Sequence, residues 1–215
     1  MSEDYGQTSV AIPADDILGD GFPTVSQQIT LAIASAATLV RGTVLGLLTK
    51  DTVALTAPAS GNTGADTGLA SVAVTLGAKA LPGRYLLTCT AAVDDGTPAQ
   101  WSVKAPNGLY LPAAASGVAY ASDHINLTIG VGTTAWAAND VLYLDVSGTG
   151  QAKAYSAAAV DGSGEAALIL SHDIAVGAAA VPAVAFRTGV FRRAKLIGLD
   201  AAAVAQLDAR NIFVR

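Results

Sequence analysis

The sequence predicts a mainly β protein built of two interleaved modules, and three observations carry that prediction. Short runs of β-branched and apolar residues recur along most of the chain. Turn chemistry of Gly, Pro, Asn and Asp separates them. One segment alone, residues 200–210 (DAAAVAQLDAR), reads as a convincing helix.

Residues 1–23 show no hydrophobic period and contain Gly6, Pro13, Gly19, Gly21 and Pro23, so they read as an extended N-terminal arm. The arm holds the whole net charge of −5, because Glu3, Asp4, Asp15, Asp16 and Asp20 stand there without a Lys or Arg. The rest of the chain is neutral, which argues against a nucleic-acid binder and its clustered positive field. Residues 28–33 (QITLAI) and 39–48 (LVRGTVLGLL) read as strands, with Gly42 and Gly46 marking bulges or close backbone approach.

Composition then changes. Residues 56–70 form a Pro/Gly/Ser/Thr-rich linker. Strand-like runs follow at 71–76, 84–91, 100–104, 124–129 and 141–146, separated by Leu81-Pro82-Gly83, Asp94-Asp95-Gly96, Pro106-Asn107-Gly108, Gly130–Gly132 and Asn139-Asp140. Such spacing predicts a small antiparallel sandwich or barrel. Both tryptophans and four of the six tyrosines fall in this stretch, and none of the four phenylalanines does, which marks a separate core. After Ser147–Gly150, residues 166–171 and 181–190 resume as strands. In the helix, Asp200 is placed to cap the N-terminus, Ala203, Val204 and Leu207 share a face, Arg210 occupies the last turn and Asn211 terminates it.

The domains are therefore an arm at 1–23, a discontinuous module of 24–56 plus 148–215, and an inserted β domain at 57–147. Of the 112 hydrophobic residues (52 % of the chain), 45 are alanine, and 13 % of residues are charged, about half the usual globular share. A charge-poor surface fits subunit packing, and equally a surface of Ser, Thr, Ala and Gly.

Chemistry has little to work with. Ser122-Asp123-His124 and Ser171-His172-Asp173 are adjacent in sequence, and in a strand adjacent residues face opposite ways, so neither is expected to form a triad. Gly130-Val131-Gly132 and Gly162-Ser163-Gly164 lead into strands rather than helices and read as turns, not dinucleotide sites. The Asp-rich turns lack a calcium loop's ligand ladder, and Cys89 reads as a buried structural thiol. No catalytic, cofactor or metal residue is assigned. No secretory signal and no membrane-spanning apolar stretch is expected.

The outer segments carry a pattern. Val40-Arg41-Gly42-Thr43-Val44-Leu45-Gly46 resembles the "RGTVLG" opening of lambda-type bacteriophage head decoration proteins, the capsid cements. Tyr155 with Asp161-Gly162 is similar to the family's "Y…A..DG" step, and Ala167-Leu168-Ile169-Leu170 with Asp173 to its "ILL" strand and trailing acid. Phe186-Arg187-Thr188-Gly189-Val190-Phe191 resembles the late "RG.F" strand with one residue more, which implies a bulge. Leu207 and Ile212 sit in a closing segment similar to "L...GI..R". The insert resembles a β module of phage decoration proteins through Pro82-Gly83-Arg84-Tyr85, Trp101, Pro106-Asn107-Gly108 and Trp136, with Asn139-Asp140 where Gly-Asp is usual.

The resemblance implies a non-enzymatic structural protein with a small β-clip-like core. It implies a homotrimer on the outer face of the expanded capsid, bridging major capsid protein subunits at three-fold and quasi-three-fold positions. The localisation implied is the virion surface, after synthesis in the host cytoplasm. The arm would grip the capsid through Tyr5, Val10, Ile12, Asp15, Asp16, Ile17, Leu18 and Phe22. The insert would project outward and offers Trp101, Trp136 or its tyrosines to host-surface glycans. A carbohydrate- or cell-surface-binding β module of the fibre or adhesin type is the alternative function.

Overall fold

The computed structural model describes residues 17–19, 21–32, 37–58, 60–66, 72–92, 97–176 and 179–215. The chain is mainly β with one short helix near its C-terminus. A closed five-stranded barrel is formed by β1 (Val25–Leu31), β12 (Ala152–Ala154), β3 (Val44–Leu47), β13 (Ala166–Leu170) and β15 (Val181–Phe191). The ring closes because β15 pairs β1 antiparallel on one edge and β13 on the other. The end of β15 also pairs β16 (Ile212–Val214) in parallel, and β2 (Ala37–Leu39) pairs β14 (Ile174–Val176).

Two apolar layers use the barrel wall. Leu31, Leu45, Ala152, Leu168, Leu170, Ala183 and Ala185 fill its inside. Ile169, Val44 and Phe191 face outward onto Ala203, Leu207 and Ile212. Strand β13 serves both layers, which is why AALIL is buried at every position and reads as an unbroken apolar run. Helix α1 (Ala201–Asp208) begins where Asp200 accepts the Ala203 N–H at 2.6 Å, and ends before Asn211, whose φ of 62° leaves the helical region. Ala203 and Leu207 are its buried residues. Arg210 lies beyond the helix end rather than in its last turn, 3.9 Å from Glu165.

Residues 39–48 are not one strand. Gly42 takes φ 85°, and the turn at Arg41-Gly42 separates β2 from β3. A Cβ on Gly42 would sit 2.4 Å from the Lys195 carbonyl, so the position needs glycine twice over.

The insert grows from the tip of the β3–β12 hairpin. Leu47 pairs with Ala152, the Leu48 N–H donates to the Gln151 carbonyl at 2.8 Å, and Asp51 accepts both the N–H and the hydroxyl of Thr149 at 2.8 Å. The ribbon then continues as β4 (Thr52–Thr56) paired with β11 (Val141–Ser147). The insert thus starts near residue 52, not 57, because Leu55 alternates inward onto the insert's core. Ribbon ends already in contact make a long insertion cheap in loop entropy.

The insert is two antiparallel sheets. One has the order β4-β11-β6-β7-β8, with β6 (Gly83–Ala91), β7 (Gln100–Lys104) and β8 (Tyr110–Ala115). The other is β5-β10-β9, with β5 (Thr75–Leu76), β9 (Ala119–Ala121) and β10 (Ile125–Thr128). Between them Trp101 and Trp136 meet edge to face at 5.2 Å, with Tyr85, Leu87, Ile125 and Leu142 around them. Pro106-Asn107-Gly108 makes the β7–β8 turn, with Gly108 at φ 88°. The linker segment is tied to this core, because Asn62 exchanges hydrogen bonds with the Val141 backbone and Ala65 pairs with Thr134.

Candidate assembly interface

The segments that carry the family resemblance meet in the barrel. The Arg41 N–H donates to the Asp173 carboxylate at 2.7 Å, and the Gly42 N–H to the Leu170 carbonyl at 2.9 Å. Gly46 lies against Ser163, where a Cβ would come within 2.4 Å of the carbonyl. Asp161-Gly162 turns the chain beneath β3. The Asp161 carbonyl accepts the Thr49 and Lys50 N–H groups at 3.1 and 2.9 Å, and Gly162 sits at φ 105°. Burial pushes the Asp161 carboxyl up, but hydrogen bonds from the Ser163 hydroxyl and N–H and from Lys153 outweigh it and hold the group below its ordinary value. Tyr155 donates to Asp200, joining that turn region to the helix cap.

The bulge expected in the late strand is present. Ser26 faces Phe186 while Val25 faces Thr188, so Arg187 is the extra residue on β15. The Thr188 hydroxyl donates to the Pro23 carbonyl and accepts the Val25 N–H. Phe186 and Phe191 pack with tilted rings at 5.3 Å, and the Phe191 ring lies against Gly189.

The arm divides. Tyr5, Val10, Ile12, Asp15 and Asp16 lie outside the described residues. Ile17, expected on the capsid-facing arm, is instead 2 % exposed and packs with Val44, Phe191 and Ile212. Its carbonyl accepts the Arg192 N–H, Leu18 bridges Phe191, and the Gly19 N–H donates to Val190. Phe22 remains partly exposed, with its ring edge-on to Phe213 at 5.2 Å. The part of the arm from Ile17 onward therefore belongs to the barrel. Short apolar side chains in a Gly- and Pro-rich context gave no period from which this docking could be read.

Surface apolar residues were not visible as such in the sequence. Val40 and Ile197, both exposed, flank the Arg41-Gly42 turn, where Thr43 bridges Ile197 and its N–H donates to Val40. Val25 and Val184 are exposed on β1 and β15. A cleft of about 750 Å³ opens between the start of β1 and the β3–β13 wall, lined by Val25, Gln27, Leu47, Ala167, Arg187 and Arg210 among others. A second, of about 540 Å³, continues along Gln27–Thr30 toward Gly150 and Gln151.

On the insert, Trp101 and Trp136 are buried, and their indole N–H groups donate to Ser116 and Gly130, so neither offers a platform to a glycan. Tyr110, at 67 % exposure, is the open aromatic of this module. Asn139 takes φ 74°, the conformation that Gly would supply. Asp140 beside it accepts the N–H groups of Thr63, Gly64 and Ala137 at 2.7–2.8 Å. Burial pushes its carboxyl up, and these three donors more than reverse the effect.

Neither histidine cluster is assembled as a triad. Asp123 pairs with Lys79, and His124 Nδ1 lies 3.3 Å from the Tyr85 hydroxyl. Ser171 and His172 do approach, at 2.9 Å, contrary to the strand-alternation argument, because β13 ends at Leu170 and the two residues are not in a strand. The Ser171 hydroxyl donates to the Val184 carbonyl, and Asp173 is held by Arg41. Cys89 is buried in β6, and burial pushes its thiol up. Among the described residues no group of three His, Cys, Asp or Glu is placed to hold a metal ion, and no helix is long and apolar enough to cross a membrane.

No protein-family model matches the chain, and no curated protein matches it. Among solved structures, two crystal forms of FlgL from Xanthomonas campestris align at 17 % identity with a TM-score of 0.31, over 51 % and 50 % of this chain. The aligned part spans about a third of those chains, 34 % and 33 %.

Proposed function

We propose that the chain is a trimeric head decoration protein, which binds the outer face of an expanded phage capsid and bridges major capsid protein subunits. The observation that supports this reading is the convergence just described. The resembling segments, far apart in sequence, form one barrel, and the insert interrupts them only at a hairpin tip. Their glycines fall where backbone crowding or positive φ requires glycine, at Gly42, Gly46, Gly162 and Gly189. Weak grips by three arms on one trimer share effective concentration and become firm attachment.

Binding to purified capsids tests it. The full-length protein should saturate expanded capsids at a fixed ratio and leave unexpanded ones bare. Deleting residues 1–15 keeps Ile17 and with it the barrel, and should abolish attachment. Equal binding to both capsid forms, or none to either, would sink the reading.

A further inference from the structure

Strand β1 is paired along its whole length on one edge only. Its register with β15 runs from Val25 to Leu31, whereas β12 meets it at Leu31 alone. The orientation of the free groups follows from β15. Thr30 faces Pro182, which has no N–H, so that pair exchanges no ladder bonds. Two residues along, the Val184 carbonyl turns away from β1 and accepts from Ser171. By this alternation the backbone N–H and C=O groups of Ser26 and Gln28 point away from β15, into the two clefts. Four residues, Ser26–Ile29, present this edge without a proline or a charge, the devices that usually blunt one, before β12 takes over at Leu31. The charged residues lining the clefts are Arg187 and Arg210.

We infer that this edge is a strand acceptor, and that its occupant is the leader of a second copy of the chain. Within the aperiodic leader, residues 7–12 (QTSVAI) place Thr8, Val10 and Ile12 at every second position before Pro13, a local alternation about as long as the open edge. The leader carries Glu3, Asp4, Asp15 and Asp16 and no base, complementary to the two arginines. Ile17 is fixed just beyond the end of β15, where its carbonyl accepts the Arg192 N–H. Sixteen extended residues reach about 53 Å, enough for a neighbour. In a closed ring each copy gives one leader and receives one. This goes beyond the capsid reading: off the capsid, the edge holds the leader until a capsid strand competes for it.

The test uses protein lacking residues 1–15 and a fluorescent peptide of residues 1–15, read by anisotropy. Saturable binding is expected, weaker at high salt, and at least tenfold weaker for Gln28→Pro. That proline removes an outward N–H, so the variant should melt like its parent. Arg187→Glu with Arg210→Glu should weaken binding severalfold and remove its salt dependence. No saturable binding, or binding unchanged in a folded Gln28→Pro variant, overturns the acceptor. Light scattering tests the second copy, because full-length protein should dissociate at concentrations at least tenfold lower than the deleted form. A monomeric full-length protein whose Ser26 and Gln28 amides are protected from exchange would put the leader on its own edge and overturn the exchange. Neither assay contains capsid, so its failure is separate from failure of the proposed function.

Discussion

The barrel, antiparallel but for the β1–β12 pair, and the fully antiparallel insert have separate cores and solve burial differently. The barrel interior is lined by Ala and Leu, and its turns press backbone against backbone at Gly42, Gly46 and Gly162. The insert is organised by two tryptophans packed edge to face and a buried carboxylate that ties the Thr63-Gly64 segment to the Ala137–Asp140 loop. The insert also blunts its outer strand, since β8 carries Pro112 and a register break against β7. The barrel leaves β1 open at Ser26–Ile29 and exposes Val25, Val40, Val184 and Ile197. The insert exposes Leu109, Tyr110, Val118 and Val131 as well, so what separates the modules is the size of their core side chains and the open edge of β1. A core of small side chains gains less per residue from burial.

The largest effect should come from the aromatic pair. Trp101→Ala is expected to cost about 3–5 kcal/mol, with the loss confined to the insert. Near-ultraviolet circular dichroism of the pair should vanish while amide exchange in β13 and β15 stays slow. Exchange quickening equally in both modules would show one cooperative unit and break the comparison.

Next in size is the carboxylate. Asp140→Asn keeps one acceptor oxygen and strands at least one buried N–H, costing about 2 kcal/mol. The acid limb has a definite sign. The folded group titrates below its ordinary 3.8, so the unfolded chain takes up the proton first. Its stabilisation is complete above about pH 3.8 and is lost as pH falls through the lowered value. Acid titration of stability should therefore flatten in Asp140→Asn relative to the parent, and parallel titrations would refute the assignment.

The smallest is the helix cap. Asp200→Ala should cost about 1 kcal/mol and leave the insert untouched. Thermal melting of the two modules, followed separately, checks it. A larger loss would show that the Tyr155 link to Asp200 matters more than the cap.

Much of this architecture was legible in advance where local chemistry decides conformation. The helix, its Asp200 cap and its Asn211 stop were readable because each is set within one turn of chain. So were β6, β7 and β11, whose alternation matches a half-buried face. The extra residue at Arg187 was legible as a count, and the bulge is its geometric consequence. Strands β8, β9, β12 and β14 were not legible, being short or Ala-rich, with burial patterns that only their neighbours define. The docking of Ile17 was missed for the same reason, since a single isoleucine among glycines and acids has no period to announce it.

By itself the sequence determined the β class, the two core vocabularies, the interruption and the glycine positions, because each depends on local sterics or on composition. Only the tertiary structure decided where the insert begins, that the barrel closes through β1 and β15, and which edge stays open. Those features depend on pairing between residues far apart in the chain, such as Leu55 with Leu144 and Val25 with Thr188. No local preference encodes which of two edges finds a partner; that is settled only when the strands compete for the same space.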